Sequence, residues 1–150
     1  MRTITLPSYV FYQQYHRNRV NKIIHIFCIP MISWSMCALL PADHALLLTL
    51  FYVGTYGYLF STHLSNLETR TFFMLTSYLL AIWASAVVFR ILVVDSDTIA
   101  WSLFAFSWIM QFVGHWAFEG NRPALLDSMH QSFLMAPMFS FFELEDFLSE

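Results

Sequence analysis

The stretch Ser107–Pro123, SWIMQFVGHWAFEGNRP, decides how the chain is read. Apolar side chains fill most of it, and Gln111, His115 and Glu119 recur at intervals of four, so on a helix the three polar groups fall on one stripe. Polar groups on a membrane helix are expensive and need a compensating purpose. A second polar set stands near the other end of the chain, in Tyr15-His16-Arg17-Asn18-Arg19-Val20-Asn21-Lys22-Ile23-Ile24-His25. If the two sets meet, they hold a metal ion at one face of a small helical membrane protein.

Composition supports the membrane half of that reading. The 150 residues are 58% hydrophobic and 11% charged, against about 25% charged in ordinary soluble domains. The expected fold is all-α: one integral membrane domain over 1–150, a polytopic bundle of about four transmembrane helices with N-terminal and C-terminal interfacial or re-entrant helices. The net charge of −3 gives no support for nucleic-acid binding. The N-terminus lacks the apolar core of a cleaved signal, so the first span is expected to be retained. Cys28 and Cys37 lie roughly 13 Å apart on one helix axis, beyond disulfide reach, and read as apolar packing residues.

Along the chain, an aromatic surface helix is expected over Tyr9–His16. Membrane helices follow at about Ile23–Leu40, kinked by Pro30, then Ala45–Ser61, Phe72–Val94 and Ile99–Phe118. Gly54 and Gly57 are available for close helix contact. Ala124–Phe142 is apolar but carries Asp127, His130, Gln131 and Pro137, which favours an interfacial or dipping helix over a fifth crossing. The acidic residues after it read as a solvated end. Trp101, Trp108 and Trp116 read as packing or interface anchors.

Orientation is read from the basic residues. Four of the seven, Arg2, Arg17, Arg19 and Lys22, precede the bulk of the first apolar run. Placing them in the cytoplasm puts Arg70 and Arg122 on the same side, with Asp43, Asp95 and Asp97 opposite. His16, His25 and His115 then share the cytoplasmic face, and His44 is left on the other.

Imidazole is the commonest ligand for a divalent transition metal, and a few imidazoles with a carboxylate leave positions open for substrate or oxygen. His16 and His25, nine residues apart, would face opposite ways on one straight helix. They converge only if the chain bends, and Asn18–Asn21 is the expected bend. Asn21 and Gln111 are expected to accept the second N–H of ligating imidazoles or to contact substrate. Gly114 leaves room for a neighbouring backbone. Glu119 is either a ligand or an acceptor beside one. Arg122 reads as part of a helix stop, or as a bidentate partner for the carboxylate of a lipid substrate. His63 and His130 are weaker candidates, the one alone in a polar loop and the other with only Asp127 nearby. There is no HExxH and no paired CxxC, so neither a zinc protease nor a zinc ribbon is supported.

Two blocks, YHRNRVNKIIHIFCIP at 15–30 and WIMQFVGHWAFEGNRPALLDSMHQSFLMAPMF at 108–139, resemble the yeast-type endoplasmic-reticulum family of 2-hydroxy fatty acid dioxygenases, which takes part in converting phytosphingosine to odd-numbered fatty acids. The close resemblance covers roughly a third of the chain, and the remainder matches in hydropathy. It implies an iron(II) enzyme that uses O2 to shorten 2-hydroxy fatty acids by one carbon with release of CO2, embedded in the endoplasmic reticulum membrane. It carries over His16, His25 and His115 as the Fe2+ ligands, with Glu119, Asn21, Gln111 and Arg122 in matching places, and it lowers His63 and His130. A di-iron hydroxylase would need about eight histidines in HxxxH and HxxHH clusters, and this chain has six without that spacing. The alternative is a membrane protein that binds metal or lipid without catalysis.

Overall fold

The computed structural model describes residues 7–64, 69–120, 123, 127 and 129–149. Among them every regular element is helical: α1 Pro7–Tyr15, α2 Arg19–Leu39, α3 Ala42–Thr62, α4 Thr69–Leu92, α5 Ser96–Gly114, a π-helical turn His115–Glu119, and α6 Met129–Ser149. Three of these, α2, α3 and α4, are long and apolar enough to cross a membrane. The expected fourth crossing forms as a helix, but α5 is shorter, with Asp97 in its first turn and Gln111 near its end, and does not join those three. It also does not continue as a regular α-helix to Phe118, because the chain widens into the π turn at His115.

Local chemistry explains where the elements begin and end. The Asn18 carbonyl accepts from the Lys22 N–H at 3.0 Å and its side-chain oxygen from the Val20 N–H at 2.8 Å, so Asn18 caps α2 and its first turn begins at Arg19. The bend between α1 and α2 therefore lies at His16–Asn18, slightly before the expected position, and α2 continues as a helix through Pro30. Pro41, with φ −53°, pre-sets entry into α3, and Asp43 sits in that first turn where the helix dipole favours an anion. Gly120 ends the π turn at φ +64°, a left-handed position that costs glycine little.

Residue contacts divide the chain into two compact units, one built from 1–30 and 106–150 and the other from 31–105. In the second, a cluster of small buried residues, Cys37, Ala38, Ala45, Ala86 and Ala100, lets helix backbones approach closely under Trp34, Trp83 and Phe89. Gly57 faces the ring of Phe72 as expected of a contact glycine. Gly54 does not, because nothing stands within 4 Å of where its Cβ would be.

The first unit holds the residues singled out by the sequence. α1 rests on α6 through aromatic contacts, with Tyr9 and Tyr12 each 5.0 Å from the ring of Phe139. α6 itself presents Met138–Phe142 to the interior. The far side of its α5 segment and of the π turn carries exposed Phe106, Ile109, Phe112 and Trp116. Buried polar groups with apolar residues outermost is an arrangement compatible with a lipid surround. Trp101 and Trp116 point outward, whereas Trp108 packs on Phe133 of α6. Cys28 and Cys37 are both buried and unbridged, in keeping with their reading as packing residues.

A candidate metal centre of three histidines

Three segments far apart in sequence supply the centre. His16 stands at the bend after α1, His25 lies two turns into α2, and His115 opens the π turn after α5. Their ring centroids are 4.3 Å (His16–His25), 4.8 Å (His16–His115) and 4.9 Å (His25–His115) apart. One potential ligand atom from each lies within 4.8 Å of the others. All three are almost completely buried, with 3–4% exposure.

The ring nitrogens are already sorted. His16 Nδ1 lies 2.8 Å from the Tyr12 carbonyl and His25 Nδ1 lies 2.9 Å from the Asn21 carbonyl. A carbonyl only accepts, so each Nδ1 carries the proton and each Nε2 presents its lone pair. His16 Nε2 and His115 Nδ1 are buried with no hydrogen-bond partner. Buried polar atoms are nearly always satisfied, so an orphaned pair on neighbouring rings calls for a ligand. Burial first, then the neighbouring His25, holds His16 well below the usual imidazole range and keeps it in the neutral form that binds metal.

The two N–H acceptors are main-chain carbonyls one helical turn before each histidine. The side chains of Asn21 and Gln111, expected in that role, do not fill it. Asn21 contributes through its backbone, while its side chain donates to Glu119 Oε1 at 3.1 Å. Gln111 lies one turn before His115, buried, with its Nε2 unpartnered.

Glu119 is a clasp. Its Oε1 receives the N–H groups of Arg17 and Asn18, each at 2.8 Å, besides the Asn21 amide. This one carboxylate oxygen ties the π turn that carries His115 to the bend between His16 and His25. Gly114 makes the close approach feasible: a Cβ there would run into the Asn21 side-chain oxygen and meet Ile24 at 3.4 Å.

Two further residues beside the centre were not singled out by sequence reasoning. Tyr12 stacks on His16 with centroids 3.8 Å apart and planes 13° apart, and its hydroxyl is buried without a partner. Burial first, then the carboxylate of Glu143, Tyr9 and Glu119, push its phenol well above the usual range, so it is a hydrogen-bond donor at any physiological pH. Glu143 lies in the acidic run read as a solvated end, yet its side chain is 6% exposed and pairs with Lys22 at 3.0 Å. The signal for Tyr12 was its place four residues before His16. Glu143 had no comparable signal.

Of the remaining candidates, His44 and His63 are exposed residues of the other unit, His44 paired with Asp43 at 3.1 Å. Arg122 and the side chain of His130 lie outside the described residues. Asp127 accepts from the Tyr15 hydroxyl at 2.9 Å.

Residues 5–148 match the profile of the family described as Mpo1-like, 2-hydroxy-palmitic acid dioxygenase Mpo1-like. The chain belongs to the Mpo1-like family. It is 33% identical over 133 residues to the 2-hydroxy-palmitic acid dioxygenase MPO1 of Saccharomyces cerevisiae, covering 89% of this chain and 75% of that protein. No solved structure matches. Kinship to the Mpo1-like family thus extends well beyond the two blocks at 15–30 and 108–139, through the segments that resembled it only in hydropathy. It supports a dioxygenase with a role in 2-hydroxy fatty acid metabolism.

Proposed function

We propose that this protein is an iron(II)-dependent dioxygenase that converts long-chain 2-hydroxy fatty acids to fatty acids one carbon shorter. The overall change, 2-hydroxy acid plus O2 giving the shortened acid, CO2 and water, balances in atoms and takes both oxygens of O2. The observation that carries the reading is the buried trio His16, His25 and His115, whose free nitrogens converge from three segments. Three neutral nitrogen donors fit iron(II) and leave coordination positions open. Iron(II), when bound, would supply the redox partner for O2 and a site for the substrate oxygens.

The chain's own residues do the rest. The carbonyls of Tyr12 and Asn21 hold His16 and His25 in the tautomer that presents Nε2. Glu119 keeps the bend and the π turn together, with Asn21 Nδ2 donating to it, while Asn21 Oδ1 is left for the substrate. Gln111 retains a free donor for substrate, and Arg122 is assigned to the carboxylate on its sequence position. The apolar exterior suits an enzyme whose substrate tail stays in lipid, with the trio at the cytoplasmic face of the endoplasmic reticulum membrane.

The test is turnover by purified protein with 2-hydroxypalmitate and O2. Chelation should abolish formation of the shortened acid and ferrous iron should restore it, while alanine at His16, His25 or His115 should each remove both metal and activity. Metal binding without any shortened product would support the non-catalytic alternative, and full activity after chelation would dispose of the metal.

A further inference from the structure

A metal ion would satisfy the orphaned imidazole nitrogens but leaves two buried donors beside the trio unexplained. The hydroxyl of Tyr12 and the Nε2 of Gln111 have no partner, and the two residues are only 7% and 8% exposed. They approach from different elements. Tyr12 lies against the face of His16, and Gln111 precedes His115 by one turn of α5. His16 and His115 are themselves neighbours at 4.8 Å.

Both orphans have the same polarity. An amide Nε2 donates only, and a neutral phenol presents its O–H. Leaving two donors buried and unmade costs free energy that the fold would recover only with an acceptor present. Oε1 of Glu119 takes three N–H groups, and Oε2 of Glu143 is paired with Lys22. No acceptor among the described residues, Glu143 Oε1 and Asn21 Oδ1 included, comes within hydrogen-bond distance of the Tyr12 hydroxyl or of Gln111 Nε2, so an acceptor brought by a ligand would serve them. Ser107 also has an orphaned hydroxyl, but eight residues of helix put it about 12 Å from His115 along the axis, too far to share one head group.

We infer that Tyr12 and Gln111 are hydrogen-bond donors that read the oxygen-rich head of the substrate, conferring preference for a carboxylate over a neutral head at the same position. This rests on the function proposed above and adds the residues that recognise the acid. A bond from a neutral donor to a charged oxygen is about twice as strong as one to a neutral oxygen, so the donors discriminate between the two heads.

The experiment uses full-length protein in detergent, loaded with cobalt(II) without O2, so that binding is read from the cobalt absorption spectrum and no turnover is needed. 2-Hydroxypalmitate is titrated against 1,2-hexadecanediol, which has the same length and hydroxyl position without the carboxylate. Tyr12→Phe keeps the ring stacked on His16 and Gln111→Leu keeps the helix, so each should hold one cobalt per chain. Each should weaken the acid by about tenfold to a hundredfold and the diol by far less. Equal losses for acid and diol, or undiminished acid binding in both variants, would overturn the inference while leaving the proposed function standing. If wild-type cobalt protein binds neither probe, the proposed function fails and takes this inference with it.

Discussion

Removing the Glu119 carboxylate tests whether that residue organises the site or ligates the metal. Oε1 accepts three N–H groups, from Arg17, Asn18 and Asn21, at 2.8, 2.8 and 3.1 Å. A hydrogen bond to a charged group contributes about 1.5–3 kcal/mol. The Arg17 N–H is exposed, so water would replace part of what it loses, and roughly 3 kcal/mol in total is expected for Glu119→Ala. Glu119→Gln keeps a carbonyl oxygen in place but removes the charge, and about half of that loss is expected. Chemical unfolding of metal-free protein in detergent measures both. Iron(II) affinity should then fall by about tenfold to a hundredfold for alanine and less for glutamine, because the ligands stay but their spacing relaxes. A ligand role gives a different pattern: with no metal present both substitutions would be nearly neutral, and with metal both would lose affinity alike. That second pattern would refute the clasp.

Gly114→Ala should destabilise by about 1–3 kcal/mol and lower iron affinity, since its methyl would displace Asn21 from beside Glu119; an unaffected melting temperature and affinity would count against the close approach. Lys22→Met strips the partner from the buried Glu143 and should cost about 3 kcal/mol. The double variant Lys22→Met/Glu143→Met should recover much of that loss in the same unfolding assay, and failure to recover would show that the pair is not the interaction being measured. His44→Ala should change stability and iron binding by less than about 0.5 kcal/mol, its exposed side chain bonding to exposed Asp43; a loss of metal would place a ligand where none is proposed.

The identity of the three imidazoles was legible because membrane helices tolerate few polar side chains, and those present stand out against Phe, Ile and Trp. Their convergence was legible only conditionally: nine residues separate His16 from His25, and only a bend could join them. The bend itself follows from Asn18, whose capping side chain starts α2 at Arg19. What periodicity could not show is the π turn. An interval of four assumes a uniform helix, and α5 stops being one at Gly114, where the Asn21 side chain presses against the missing Cβ. Partners chosen by the backbone were invisible for a different reason. The acceptors for His16 and His25 are carbonyls, which every residue carries, so no side-chain pattern marks them.

Glu119 is ambiguous in the sequence for a related reason. A carboxylate in register with histidines on an apolar helix suits a ligand and a clasp equally well, and only the direction of its oxygens separates the two. Here Oε1 is filled by N–H groups from the very bend that brings His16 to His25. Oε1 could turn toward a cation only by abandoning three charge-assisted bonds, and the ligand atoms that group together are those of His16, His25 and His115, without Glu119. An anion that balanced a bound cation would then have to arrive with the ligand. A centre of three neutral imidazoles would hold iron(II) at a net charge of +2, and that uncompensated charge favours a substrate entering as its carboxylate.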